Sequence, residues 1–107
     1  MQQFDVFPNP IAASRRAYPL LVCMQSDLFA SGSDRVVAPM ALRRNLAGAM
    51  IRISPPVTVG QDEYLVLVST LVTVPSQMLS HRLANLTSHR EALLGAGTLF
   101  AWSQMPR

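Results

Sequence analysis

Proline decides most of what this chain can become. Eight prolines, at positions 8, 10, 19, 39, 55, 56, 75 and 106, divide 107 residues into short apolar runs. Each lacks a backbone N–H and crowds the preceding turn, which argues against a helical bundle. Short runs rich in Val, Leu, Ile and Tyr between such breaks predict many short strands rather than a helical bundle.

Read in order, Phe4 and Val6 alternate with Gln3 and Asp5, a half-buried first strand ended by Pro8-Asn9-Pro10. The polar stretch through Ser14, Arg15 and Arg16 reads as a loop. Tyr18 to Gln25 is apolar on both alternating sets, which predicts a strand covered on both faces. Ser31-Gly32-Ser33-Asp34 reads as a turn and Arg35 to Met40 as the next strand. Pro39 should confine that end to a sheet edge or a bulge. Ala41 to Ala49 suits a short helical turn, and Met50 to Ile53 a strand stopped by Ser54-Pro55-Pro56. Val57-Thr58-Val59, the turn Gly60-Gln61-Asp62 and Glu63 to Val68 form a predicted hairpin. Thr70 to Val74 follows, closed by Pro75. Such an antiparallel meander suits a small barrel or sandwich.

The last segment changes period. Ser88-His89-Arg90-Glu91 fits the capping-box pattern, in which a hydroxyl and a carboxylate satisfy two orphan backbone donors reciprocally. Leu93, Leu94, Leu99, Phe100 and Trp102 then supply a broad apolar surface at helical spacing. Gly95 and Gly97 each cost about 1 kcal/mol against Ala in a helix interior. They are tolerable where another backbone comes close, either a sheet or a second copy of the same helix. Pro106 marks a frayed end.

Composition narrows the class. One domain, 1–107, accounts for the length, and 50% apolar with 14% charged residues excludes intrinsic disorder. No apolar run reaches the roughly 18 residues needed to span a bilayer. No basic patch precedes an apolar stretch at the N-terminus, so the expectation is a soluble cytoplasmic protein without membrane contact. The net charge is +3, and all nine basic residues are Arg. They are spread along the chain instead of forming the strip that tracks a phosphate backbone, so no direct sequence-specific nucleic-acid partner is expected. Little charge with plentiful Met and Leu fits a surface partly hidden in an oligomer. The lone Cys23, between Val22 and Met24, excludes an internal disulfide and reads as a buried thiol.

Catalytic motifs are absent: there is no phosphate loop, no G-x-G-x-x-G and no nucleophile elbow. His81 and His89 do not stand in a metal-binding arrangement, and no metal or cofactor is expected. Asp62 and Glu63, the adjacent carboxylates, fall at the predicted hairpin tip, outside any cleft that would tune them for acid/base work. The residues favour binding over catalysis.

Several blocks carry a family resemblance. Phe4 and Val6 near the start are followed by Val22 to Asp27 (VCMQSD), Arg35 to Ala41 (RVVAPMA) and Pro56 to Gly60 (PVTVG). Val74-Pro75 and Leu86 to Glu91 (LTSHRE) complete the series. In that order, over nearly the whole chain, they resemble the CcdB toxins of toxin–antitoxin pairs, which poison DNA gyrase. The resemblance implies a mainly β (α+β) fold: a five-stranded, SH3-like antiparallel barrel with a small extra sheet and a C-terminal helix, paired as a homodimer. It also implies a non-enzymatic toxin that wedges between the A subunits of gyrase, traps the DNA cleavage complex, and is neutralised by a cognate CcdA-like antitoxin. Carried over by position, the gyrase-facing residues are Leu28 and Phe29 after Gln-Ser-Asp, with Leu99, Trp102, Ser103, Gln104 and Met105 at the end. Arg43 and Arg44 are the candidates for receiving an acidic antitoxin arm.

The ending departs from the pattern. Trp102 stands one residue earlier than the family's stacking Trp, and no Gly-Ile follows. Either the helix ends early and the tail re-aims Trp102, or the gyrase contact is altered. Two alternatives therefore stay open. One is a MazF/Kid-like endoribonuclease toxin, with Arg35 beside Asp34 as a strand-end Arg and its neighbouring carboxylate, though the usual Pro-Arg-Gly entry is missing. The other is a family member that keeps antitoxin binding but has lost gyrase poisoning.

Overall fold

The structure, a computed structural model, describes residues 1–25, 33–45 and 54–103, the last seven of these by their backbone path alone. Among the described residues, seven strands are formed: β1 (Asp5–Pro8), β2 (Leu20–Cys23), β3 (Asp34–Leu42), β4 (Pro56–Val59), β5 (Asp62–Val66), β6 (Val72–Pro75) and β7 (Ala84–Asn85). A single long helix, α1 (Arg90–Ser103), follows them. The expected strand of Met50 to Ile53 and the first half of the turn at Ser31 lie outside the described residues.

Every pairing is antiparallel, in the order β4-β5-β3-β2-β1-β7, with β6 attached to β3. The sheet curls into a nearly closed barrel. The resemblance implies five strands plus a small extra sheet; here β3 joins the parts. Its first half, Asp34 to Val37, pairs with β6 and its second, Met40 to Leu42, with β5.

That division of β3 corrects the reading of Pro39. The strand is central, not an edge, with β2 along its other flank. Within an antiparallel ladder, the N–H and C=O of one residue point to the same flank. The Pro39 carbonyl accepts the Leu67 N–H at 2.9 Å, so its missing N–H faces that same flank, in the gap between β6 and β5. No ladder bond is lost there.

Side-chain alternation sends the sheet's apolar residues to both of its faces, where they gather in separate clusters, one of them Ala41, Leu65 and Leu67 with Tyr18 packed against it. Val6, Leu20, Val22, Ala38, Met40 and Val66 point into the barrel, where Leu93 and Ala96 of α1 also pack. Phe7, Leu21 and Val37, one position out of phase, turn to the other face under Val74 and Leu79. All four residues of β2 are buried, as its two-sided apolar pattern predicts. Cys23 is buried beneath this cover.

The β4–β5 hairpin is tighter than predicted. Val59 pairs directly with Asp62, leaving a two-residue turn of Gly60 and Gln61. Positive φ at Gly60 (63°), with none at Gln61, is the type II′ pattern that asks for glycine at the first turn position. Of the helical turn expected over Ala41 to Ala49, Ala41 and Leu42 instead continue β3, Arg43–Asn45 form a 3-10 turn, and residues 46–49 lie outside the described residues. The loop after β1 is organised by buried Asn9, whose amide donates to the Tyr18 carbonyl (2.8 Å) and Ser14 Oγ (3.0 Å). Among the described residues, no helix is long and apolar enough to cross a membrane.

Candidate functional site

The C-terminal helix is fixed at its start by a polar cluster the sequence does not advertise. Asp5 is buried, and its carboxylate accepts the Asn85 amide and the Gln2 N–H, each at 2.8 Å. Arg82 approaches more loosely, at 3.4 Å, with its side chain 58% exposed. Burial pushes the Asp5 carboxyl upward, but these donors and the Arg82 charge outweigh it and hold the group below its ordinary value.

Asn85 then turns the chain into the helix. Its side-chain oxygen accepts the Thr87 N–H at 2.9 Å and also the Thr87 hydroxyl, an Asx turn that opens the 3-10 segment Thr87–His89. Helix α1 continues from Arg90. The reciprocal Ser88–Glu91 box is not formed: Ser88 Oγ lies 3.2 Å from His89 Nδ1. An Asn three residues upstream of the box thus performs the entry that Ser88 was expected to make. The Leu86 N–H donates to the Phe4 carbonyl (2.9 Å), tying this entry to the barrel.

Past its first turn, α1 docks through Leu93 and Ala96, one helical turn apart, while Leu94 is 42% exposed. Gly95 is exposed, and a Cβ added there would meet nothing within 4 Å. Of the two explanations for a glycine on this helix, close approach to the sheet is therefore not realised at Gly95. The helix runs through Ser103, so Trp102 belongs to it and the early-ending alternative is excluded. At about 100° per residue, position 102 stands roughly half a turn round the axis from position 93, opposite the docked stripe. Positions 99, 102 and 103 share the final turn. Leu28, Phe29, Gln104 and Met105 lie outside the described residues.

Arg43 and Arg44 are brought against the hairpin, an association that sequence spacing does not reveal. Arg43 pairs with Glu63, and Arg44 with Asp62 at 3.5 Å, around a shallow cleft of about 360 Å³. Asp62 and Glu63 are thus partners of the two arginines as well as hairpin residues. Both pairs are substantially exposed, so each contributes little, about 0–1 kcal/mol. Burial and the nearby Asp62 charge raise the Tyr64 hydroxyl above its ordinary value, partly offset by Arg44.

Among the described residues, no group of three or more His, Cys, Asp or Glu is arranged to hold a metal ion. His89 sits at the helix entry and His81 far from it in sequence, on the loop before β7. The match to known families comes from the barrel and the first part of the helix together. Residues 3–100 match the family model described as CcdB protein, and the match stops two residues short of Trp102.

Proposed function

Because this chain belongs to the CcdB family, whose members are toxins of toxin–antitoxin pairs, we propose that it acts as a homodimeric poison of DNA gyrase. In this reading two copies present their terminal helices side by side to the gyrase A subunits, and the DNA cleavage complex is trapped. The toxin acts by selecting one conformation, shifting the enzyme only by its extra affinity for the opened state. A cognate antitoxin with an acidic arm neutralises it, exchanging partners with Arg43 and Arg44.

The observation that carries the reading is the phase of α1. Leu93 and Ala96 dock on the barrel while Leu94 and Gly95 stay exposed, and the helix continues through position 102. A Trp presented to a partner's Arg supplies a hot spot of about 2 kcal/mol or more. The exposed Gly95 and Leu94 beside it suit the approach of a second copy, where an isologous contact duplicates each residue near the axis.

The test is purified protein with gyrase, supercoiled plasmid and ATP. Linear plasmid after detergent and protease treatment supports the proposal; none, with a gyrase from the source organism, overturns it. A second reading, a member that keeps its antitoxin but no longer poisons gyrase, is favoured by the altered ending, since the family match stops at residue 100. Harmless overexpression with retained antitoxin binding would select it.

A further inference from the structure

On the face of the sheet away from the helix core lies a cleft of about 640 Å³, between the N-terminal segment, the start of β3 and the loop that leads to β7. None of the residues assigned to gyrase or antitoxin lines it. Its volume falls in the range of small-ligand sites, roughly 300–1,000 Å³. Arg35, His81 and Arg82 line it, with Ser76 and Ser80, and Asp5 is the single carboxylic residue in the wall.

Three features fit a ligand rather than a solvated groove. Asp5 already has two 2.8 Å donors in Asn85 and Gln2, so the looser 3.4 Å contact leaves the exposed Arg82 guanidinium able to serve a second anion while Asp5 stays satisfied. Arg35 is pre-positioned, its Nε buried and its terminal nitrogen donating to the Asp34 carbonyl at 2.8 Å. His81 holds a left-handed backbone, φ 62°, a conformation glycine would adopt without strain. Such outliers gather at ligand sites, where the surrounding structure enforces them.

We infer that this cleft binds a phosphate monoester, gripped by Arg35, Arg82 and His81. Two guanidinium forks, an imidazole and two hydroxyls offer more donors than the two oxygens of a carboxylate can accept, whereas a phosphate monoester presents three terminal oxygens. Phe7 and Leu79, both buried at the cleft floor, offer an apolar seat for the organic part. This site is independent of the gyrase reading.

Titration calorimetry on the full chain, with AMP, inorganic phosphate and adenosine as probes, tests it. The expected result is millimolar or tighter binding of AMP, competition by inorganic phosphate, and adenosine weaker by about tenfold or more. Tighter binding of AMP than of phosphate identifies an organic ester as the ligand; equal binding identifies the free anion, the same recognition chemistry. Arg82→Gln keeps a hydrogen-bond donor for Asp5, and His81→Gly relieves the backbone. Both should remain folded by circular dichroism, retain gyrase poisoning, and lose about tenfold in AMP affinity. Arg44→Gln, away from the cleft, should leave the AMP affinity unaltered. Failure of AMP and phosphate to bind at several millimolar, adenosine binding as well as AMP, or unaltered affinity in both cleft variants would overturn the inference.

Discussion

The barrel and the terminal helix use their apolar residues in opposite ways. In β1 to β3 nearly every large apolar side chain is buried, on one face or the other, and the exposed ones of this region, such as Leu71 and Leu83, sit on the connections and on β6. In α1 the first turns bury two residues and leave Leu94 outside, with nothing packed over Gly95. A fold that satisfies itself is a holder. The described part of the helix, with Leu94 and Gly95 exposed beside the docked Leu93 and Ala96, leaves a side open, and the proposed reading puts the toxin's contacts there.

The largest effect that sharpens this contrast is at the docking stripe. Leu93→Ala should cost about 2–5 kcal/mol in denaturant unfolding, because Leu93 is fully buried against the barrel core. Leu94→Ala, next to it and 42% exposed, should stay within about 0.5 kcal/mol. Equal costs at the two positions would erase the distinction between docked and presented faces.

How much of this was legible in the sequence follows the same divide. Strand β2, buried on both faces, and the β4–β5 hairpin were readable because period and turn chemistry are local. Pro39 misled, since its placement depends on β3 changing partners between Val37 and Met40, a long-range fact. The helix was readable and its entry was not: Asn85 acts through Asp5, a residue 80 positions away. Arg43 and Arg44 were readable as charges, but their pairing with Glu63 and Asp62 comes from the way the 3-10 turn meets the hairpin. The positive φ of His81 has no signal of its own, because histidine carries no obligation to adopt it.

The polar anchor between the two regions comes next in size. Asp5→Ala leaves the Asn85 amide and Gln2 N–H without their buried acceptor, and should cost about 1–3 kcal/mol. Its carboxyl is held below the ordinary value of 3.8, so its contribution is present above that pH and is lost as pH falls through the folded-state value. Asp5→Asn should flatten that acid loss in urea titrations run between neutral pH and pH 2. A slope identical to that of the unaltered protein would remove Asp5 from the account.

Smaller again is Gly95→Ala. An alanine should stabilise the helix by up to about 1 kcal/mol, since none of the described residues meets its Cβ, and should weaken the proposed dimer, as sedimentation would measure. Gain in both properties would move the dimer contact elsewhere on the chain. The least effect is expected at the hairpin, where a double-mutant cycle on Arg43 and Glu63 should return about 0.2–1 kcal/mol of coupling. A larger coupling would make that pair part of the holder and leave Arg43 less suited to an incoming acidic arm.

The most direct measurement is gyrase-dependent plasmid linearisation by Trp102→Ala beside the unaltered protein, with the unfolding free energies of both determined in parallel. Loss of linear product with stability unchanged to within about 0.5 kcal/mol is the predicted result. Full linearisation by the variant would show that the indole makes no necessary gyrase contact, and destabilisation of the variant by several kcal/mol would place the indole in the body of the fold; either result contradicts the account.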